Sequence, residues 1–205
     1  MVIQPRIYLA SQSPRRRDLL KQIGINFDML LPRLDPRRGL DTDETPHPDE
    51  LPEIYVQRIC KDKANAGWRT LKFRNLPPFP VLAADTSVIL DGKIIGKPAS
   101  REHAVDTLRN LSGRQHQVLS AAAIIFETRL EMRLSVSKVT FSKLSEERIR
   151  RYLLTNEPQD KAGAYAIQGH AAAFIQHIEG SYSGIMGLPL FETTELLQIF
   201  GYPVL

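Results

Sequence analysis

Cysteine occurs once in the 205 residues, at Cys60, so the chain can form neither an internal disulfide nor a thiolate-based metal cluster, and a reducing compartment suits it. Aromatic residues make up only 7%, too few and too scattered for the stacking platforms of single-strand nucleic-acid binders. No stretch approaches the ~20 apolar residues of a membrane span. The apolar run that begins after Gln4, Pro5 and Arg6 is too short for a secretory signal, so the expected location is cytoplasmic. The five histidines (His47, His103, His116, His170, His177) lack zinc-site spacing. Neither G-x-x-x-x-G-K-[ST] nor G-x-G-x-x-G occurs, which argues against a P-loop or a dinucleotide fold, and Ser13 has no G-x-S-x-G setting to make it a hydrolase nucleophile. Neither sign of charge dominates. Lys and Arg number 27 against 23 Asp and Glu, and the net +4 admits a small polyanionic ligand without implying nucleic acid.

What is present is an ordinary globular composition, 42% hydrophobic and 24% charged, long enough for one sizeable core in one domain across residues 1–205. Strand and helix signals alternate without an internal repeat. A short strand at Arg6–Ala10 leads into a helix over 14–23 that Gly24 ends, and a second strand covers Phe27–Leu31. Residues 32–49, with four prolines and mixed charge, read as a long exposed loop of the kind that carries function. Leu51, Tyr55, Ile59, Ala64, Trp68 and Leu71 space a helix from Glu50 to about Lys72. Val81–Leu90 is a strongly apolar strand that turns at Asp91-Gly92 into Lys93–Ile95. An amphipathic helix over Arg101–Leu111 follows, then two long strands at Gln117–Glu127 and Met132–Ser142 that pair antiparallel. A helix capped by Ser145 runs to about Leu154. After it come a Gly/Ala-rich passage (162–173), a strand at Phe174–Ile178 and a last helix at Glu192–Phe200. Local hairpins mixed with crossover units predict an α/β protein with a mixed sheet.

Three segments carry chemistry. In Ser11-Gln12-Ser13-Pro14-Arg15-Arg16-Arg17, Ser13 is a good N-cap and Pro14 suits the first helical position. Three arginines in the first turn oppose the helix dipole at roughly 0.3–1 kcal/mol per charge, a cost that makes sense if an anion sits among them. Serine hydroxyls, free backbone N–H groups and guanidinium forks suit phosphate, although a solvated basic face would look the same in isolation. In Ala83-Ala84-Asp85-Thr86, an acid in the middle of an apolar strand needs compensation, from a hard divalent cation or a proton-transfer role, unless it only makes local hydrogen bonds at the strand end. Lys97, held between Gly96 and Pro98, returns toward the same end of the sheet. In Asp160–Gly169, small residues allow close backbone approach, and Gln168 offers the donor and acceptor needed to read a nucleobase edge. A tightly packed turn is the plainer reading of that segment.

Together these stretches, with Leu111-Ser112-Gly113, Gln115-His116-Gln117-Val118 and Gly180–Leu190, resemble the Maf family of nucleoside triphosphate pyrophosphatases, in the right order along nearly the whole chain. The resemblance implies an inosine-triphosphate-pyrophosphatase-like fold: an elongated mixed sheet flanked by helices, with a cleft between two lobes, and commonly a homodimer. It implies hydrolysis between the α- and β-phosphates with Mg²⁺ or Mn²⁺, the partner being a small nucleotide and neither nucleic acid nor membrane. Asp85 takes the place of general base and metal-linked carboxylate. Ser11, Ser13, Arg15, Arg16, Lys63 and Lys97 take those of triphosphate ligands. Arg15, Thr86 and Gln168 fall at the specificity positions of the branch acting on dTTP and UTP, and Gln168-Gly169 favours that branch over the one acting on 7-methyl-GTP. Modified pyrimidine nucleotides are further candidate substrates. The family carries two adjacent acids after its second strand, one a metal ligand. Read at Leu34-Asp35-Pro36, only Asp35 matches, with Asp41, Asp43 or Glu44 as substitutes from the longer loop.

The expected site is therefore one groove, positive except for Asp85. Two rivals are a nucleic-acid module built on the basic helix start, which would call for basic stripes and interleaved aromatics, and a nucleotide-binding regulator of cell division with weak turnover, which a missing metal ligand at Pro36 would favour.

Overall fold

The computed structural model describes residues 6–31 and 42–204. Its frame is a mixed seven-stranded sheet, and the strand content follows from β-branched and apolar runs whose two faces both need cover. β1 (Ile7–Leu9) pairs in parallel with β2 (Phe27–Met29) on one side and β3 (Val81–Leu90) on the other. β3 turns through Asp91-Gly92, where both residues have positive φ, into the short antiparallel β4 (Lys93–Ile95). From β3 the sheet continues antiparallel through β5 (Gln115–Phe126), β6 (Arg129–Phe141) and β7 (Ile175–Glu179). The expected order of strands and helices holds, and the two long strands pair antiparallel, as their adjacency implied.

One feature of β3 makes the cleft. Its edge away from β5 pairs with β1 only at Val81 and Leu82, and with β4 only from Val88 onward. Between these partners, residues 83–87 face a gap in the sheet. The cores divide along the same line. At one end, α2 (Pro52–Phe73) covers one face through Tyr55, Ile59, Ala64 and Trp68 over Val81, Ala83 and Ala121, while α1 (Pro14–Gln22) and α6 (Leu190–Ile199) cover the other over Leu82, Ala84 and Ile124. At the other end, α3 (Arg101–Leu111), α4 (Glu146–Leu153) and two 3-10 turns (Ala162–Ala164, His170–Phe174) pack on Val88, Val118, Val139 and Phe141. The cleft lies between those ends.

Close approach of α2 depends on its small residues. Cys60, Ala64 and Gly67 share the face toward the sheet. A Cβ at Gly67 would lie 2.9 Å from both Ala10 Cβ and Val81 Cγ1, so only glycine lets the helix seat this deeply. Leu51, expected on the buried stripe, is instead the exposed cap residue ahead of Pro52. α5 (Tyr182–Met186), a five-residue helix in the Gly180–Leu190 stretch, was not foreseen. It has too few residues for a helical period to register.

Candidate active site

Asp85 lies in the middle of β3, where the edge away from β5 has no strand partner, on the α2 face shared with Val81 and Ala83 and opposite the small Ala121 of β5. Its side chain is largely buried, and Lys63, projecting from α2, meets it with Nζ to Oδ1 at 2.7 Å. The same ammonium reaches Glu44 Oε1 at 2.6 Å. Two carboxylates from segments far apart in the chain thus converge on one cation. Burial alone would raise the Glu44 carboxyl, but the hydrogen bond and charge of Lys63, with Lys97 and Arg16 behind it, hold it below the usual range. Glu44 is fixed from its own side as well. Tyr55 Oη donates to its carbonyl at 2.9 Å, Arg58 donates to Thr45 O at 3.1 Å, and Arg58 forks onto Glu50 at 2.6 and 2.7 Å. Burial, with the negative field of Asp85 and Glu44, pushes the Tyr55 hydroxyl up to about 12. Cys60 is also pushed up to about 12, by burial first and Asp85 next, so it packs against Ala83 as an inert thiol.

The basic helix start sits on the opposite sheet face. Ser13 caps α1, its Oγ accepting from the Arg16 N–H at 3.5 Å. Ser11 Oγ is buried and accepts from the Ser13 N–H at 3.2 Å and from an Arg16 terminal nitrogen at 3.3 Å. Arg16 Nε donates to the Gly187 carbonyl at 2.7 Å, which ties α1 to the end of α5. Burial lowers the Arg16 guanidinium pKa, and the negative charges of Asp85 and Glu44 act against that shift. Arginine stays protonated throughout. Thr86, next to Asp85 but on the other face, places Oγ1 2.9 Å from Ser120 Oγ and 3.4 Å from Gly187 O.

Lys97 acts on Glu44 from the far side of the cleft, and both Lys97 and Gln168 are exposed. The Gly163 N–H donates to Gly96 O at 3.2 Å, bringing the Asp160–Gly169 segment against the strand end that bears Lys97. Burial, then the positive charge of Arg15, lowers the ammonium of Lys161, and burial lowers Arg15. Lys161 therefore lies close enough to feel Arg15 across the cleft. Gly169 is held beside Glu157, whose carboxylate accepts from the His170 N–H at 2.7 Å, the Ala171 N–H at 3.2 Å and Tyr152 Oη at 2.9 Å.

Ser11, Ser13, Arg16, Lys63, Asp85 and Thr86 are thus brought to one cleft, with Lys97 and Arg15 within electrostatic reach of it, while Gln168 is exposed and is not brought to these residues by any contact. The expectation of a groove positive except for Asp85 needs correction, because Glu44 adds a second acid. Asp35 and Asp41 lie outside the described residues. Asp43 turns aside to the Thr45 N–H at 2.9 Å, so among the described acids of that loop Glu44 is the one that enters the cleft. The adjacent acids Asp43-Glu44 ahead of Thr45-Pro46 are the sequence signal that could have singled it out. Among the described residues, no group of three or more His, Cys, Asp or Glu is placed to hold a metal. Two carboxylates already sharing one cation nevertheless match a hard divalent ion that completes its shell with water and phosphate oxygens.

Comparison with known proteins adds three findings. The sequence profile described as "Maf-like protein" matches residues 6–200. The chain is 55% identical over 203 residues to the dTTP/UTP pyrophosphatase of Aromatoleum aromaticum, covering 98% of each. It is 56% identical over 198 residues to the dTTP/UTP pyrophosphatase of Nitrosomonas europaea, covering 97% of this chain and 96% of that protein. Among solved structures, the Ham1 protein of Staphylococcus aureus aligns over 95% of this chain and 97% of its own at 15% identity, with a TM-score of 0.49.

Proposed function

Since the chain belongs to the Maf-like protein family, we propose that it hydrolyses dTTP and UTP to the nucleoside monophosphate and pyrophosphate. Relatives at 55% and 56% identity over nearly the full length support the reaction class. The observation that carries the reading is Lys63 Nζ poised between Asp85 and Glu44 at 2.7 and 2.6 Å, beside the arginine-bearing start of α1. In a binding-only protein, nothing requires a desolvated carboxylate at the centre of the cation cluster.

In this reading, Arg15, Arg16, Lys63 and Lys97 bind the triphosphate, with Ser11 and Ser13 as hydroxyl and backbone partners at the helix start. Lys63 exchanges its carboxylate partners for phosphate oxygens when substrate enters, which frees the Asp85 oxygens. Asp85 then takes a proton from the attacking water, the α-phosphorus–oxygen bridge to the β-phosphate breaks, and pyrophosphate leaves with its charge offset by the cations. Asp85 and Glu44 would hold Mg²⁺ or Mn²⁺, which supplies charge neutralisation and acidifies a water molecule. Thr86 and Gln168 face the nucleoside, and Gln168 reads the pyrimidine edge by donating and accepting together. The chain acts in the cytoplasm as a homodimer of single-domain protomers. The test is pyrophosphate release from a panel of nucleoside triphosphates with Mg²⁺, with Mn²⁺ and with chelator. Release confined to dTTP and UTP, and abolished by chelator, is expected. Binding of nucleotide without release under any condition overturns the reading.

A further inference from the structure

Ser120 sits at the centre of β5, 1% exposed, directly across from Thr86 in β3. Its hydroxyl has a single proton, and its shortest contact is to Gly184 O at 2.6 Å, an atom that can only accept. The Ser120 proton is therefore committed to α5. It follows that the 2.9 Å contact between Thr86 and Ser120 has Thr86 as donor, so the Thr86 proton is committed as well. The Gly187 carbonyl, 3.4 Å from Thr86 Oγ1, is left to its closer donor, Arg16 Nε at 2.7 Å. The α5 turn is pinned at its start too. Ser137 of β6 accepts from the Ser181 N–H at 3.0 Å, and a Cβ at Gly180 (φ 107°) would lie 2.8 Å from Ser137 Oγ. The sheet thus holds both ends of the turn whose last carbonyl holds the arginine.

We propose that Ser120 is a positioning residue for phosphate recognition. By fixing the Gly184 carbonyl and the Thr86 hydroxyl, it holds the Gly187 carbonyl where that atom takes Arg16 Nε, and the guanidinium is pre-set so that the N–H groups not taken by Gly187 O and Ser11 Oγ meet the triphosphate. Holding a long side chain before the ligand arrives removes much of the ordering cost of binding. The inference rests on the assignment of Arg16 to the phosphates. Because the guanidinium meets phosphate rather than base, loss of Ser120 weakens every triphosphate, inorganic tripolyphosphate included.

The test titrates inorganic tripolyphosphate by calorimetry into the wild type, Ser120→Ala and Ser120→Thr at fixed Mg²⁺, and measures KM and kcat for dTTP and UTP on the same proteins. Ser120→Ala is expected to weaken tripolyphosphate about tenfold and to raise both KM values by the same factor, with kcat changed less than about threefold. Ser120→Thr, which keeps the hydroxyl, restores both. If Ser120→Ala does not fold, Ser120→Cys, a weaker donor of similar size, carries the test with a smaller loss of the same kind. Wild-type tripolyphosphate affinity in a folded variant that lacks the hydroxyl overturns the inference, as does a loss confined to kcat or to one nucleotide. A wild type that binds tripolyphosphate yet releases no pyrophosphate from any nucleotide defeats the proposed function, and the calorimetric series then decides the role of Ser120 by itself.

Discussion

At Asp85 the cost of burying a carboxylate and its usefulness have the same origin. The β3 run supplies a site with little water, and Lys63 compensates the charge at 2.7 Å; in the proposed mechanism substrate competes for that ammonium. Asp85→Asn keeps the shape and removes the proton acceptor. It is expected to lower kcat by about 10²–10⁴-fold while nucleotide affinity, read by calorimetry, stays within a few-fold of wild type. Turnover near the wild-type rate would remove Asp85 from the role of base. Its need for a compensating partner was legible in the sequence because an acid interrupts an apolar strand, and Lys63 supplies that partner. Glu44 was less legible, since its adjacency to Asp43 marks the pair but nothing local chooses between the two acids. Its selection depends on Tyr55 and Arg58, which anchor its backbone from a helix that begins eight residues later. Gln168 is the opposite case. It is conspicuous in sequence beside its glycine, and its side chain stands exposed. Gln168→Ala is expected to reduce the preference for pyrimidine over purine triphosphates by about tenfold in kcat/KM, the worth of roughly one hydrogen bond to the base. An unchanged ratio would take base reading away from this residue.

Among the elements, capping and periodicity made several boundaries readable. Ser13, Ser100 and Ser145 each cap the helix that follows with a side-chain oxygen, and β3, β4 and α3 match their expected limits. What periodicity could not reveal is the packing between elements. The Gly67 approach that sets Lys63 against Asp85, and the α5 turn that receives Arg16, are long-range matters of fit. Gly169 is a further case. Its φ of −110° is open to any residue, yet a Cβ there would lie 2.1 Å from Glu157 Oε2, so the glycine is required by a neighbouring carboxylate and not by its own backbone. Gly169→Ala should displace Glu157 from the His170 and Ala171 N–H groups and destabilise the fold by about 1–3 kcal/mol in chemical denaturation. Glu157→Ala added to Gly169→Ala removes the clash, so the double variant should lose clearly less than the sum of the singles. Strict additivity would show that the two positions do not oppose each other.

Across the whole molecule, two packed ends share one run of β3, β5 and β6, and the distal end carries a titratable group apart from the acidic and basic cleft. His116 is 2% exposed in β5, with Nε2 2.8 Å from Tyr165 Oη, its ring edge-on to Phe141 at 5.1 Å, and Nδ1 without a partner. Protonation would place a charge and an unpaired N–H in that apolar surrounding, and burial accordingly lowers its pKa from 6.5 to about 4. The folded state therefore resists a proton that the unfolded chain accepts. Stability is fully present above pH 6.5, falls at about 1.4 kcal/mol per pH unit as pH drops below it, and levels off near pH 4. The total loss is about 3 kcal/mol. The carboxylates that the fold holds below their usual range, Glu44 and Glu157 among them, weaken the protein only below the ordinary glutamate value of 4.5, so the interval from 6.5 to 4.5 reports the histidine. Thermal melts across that interval should show a steady fall in Tm for the wild type. The fall should be much shallower for His116→Gln, which starts lower because its amide is imperfectly paired but has no proton to gain. An equally steep fall in His116→Gln would place the acid sensitivity elsewhere in the fold.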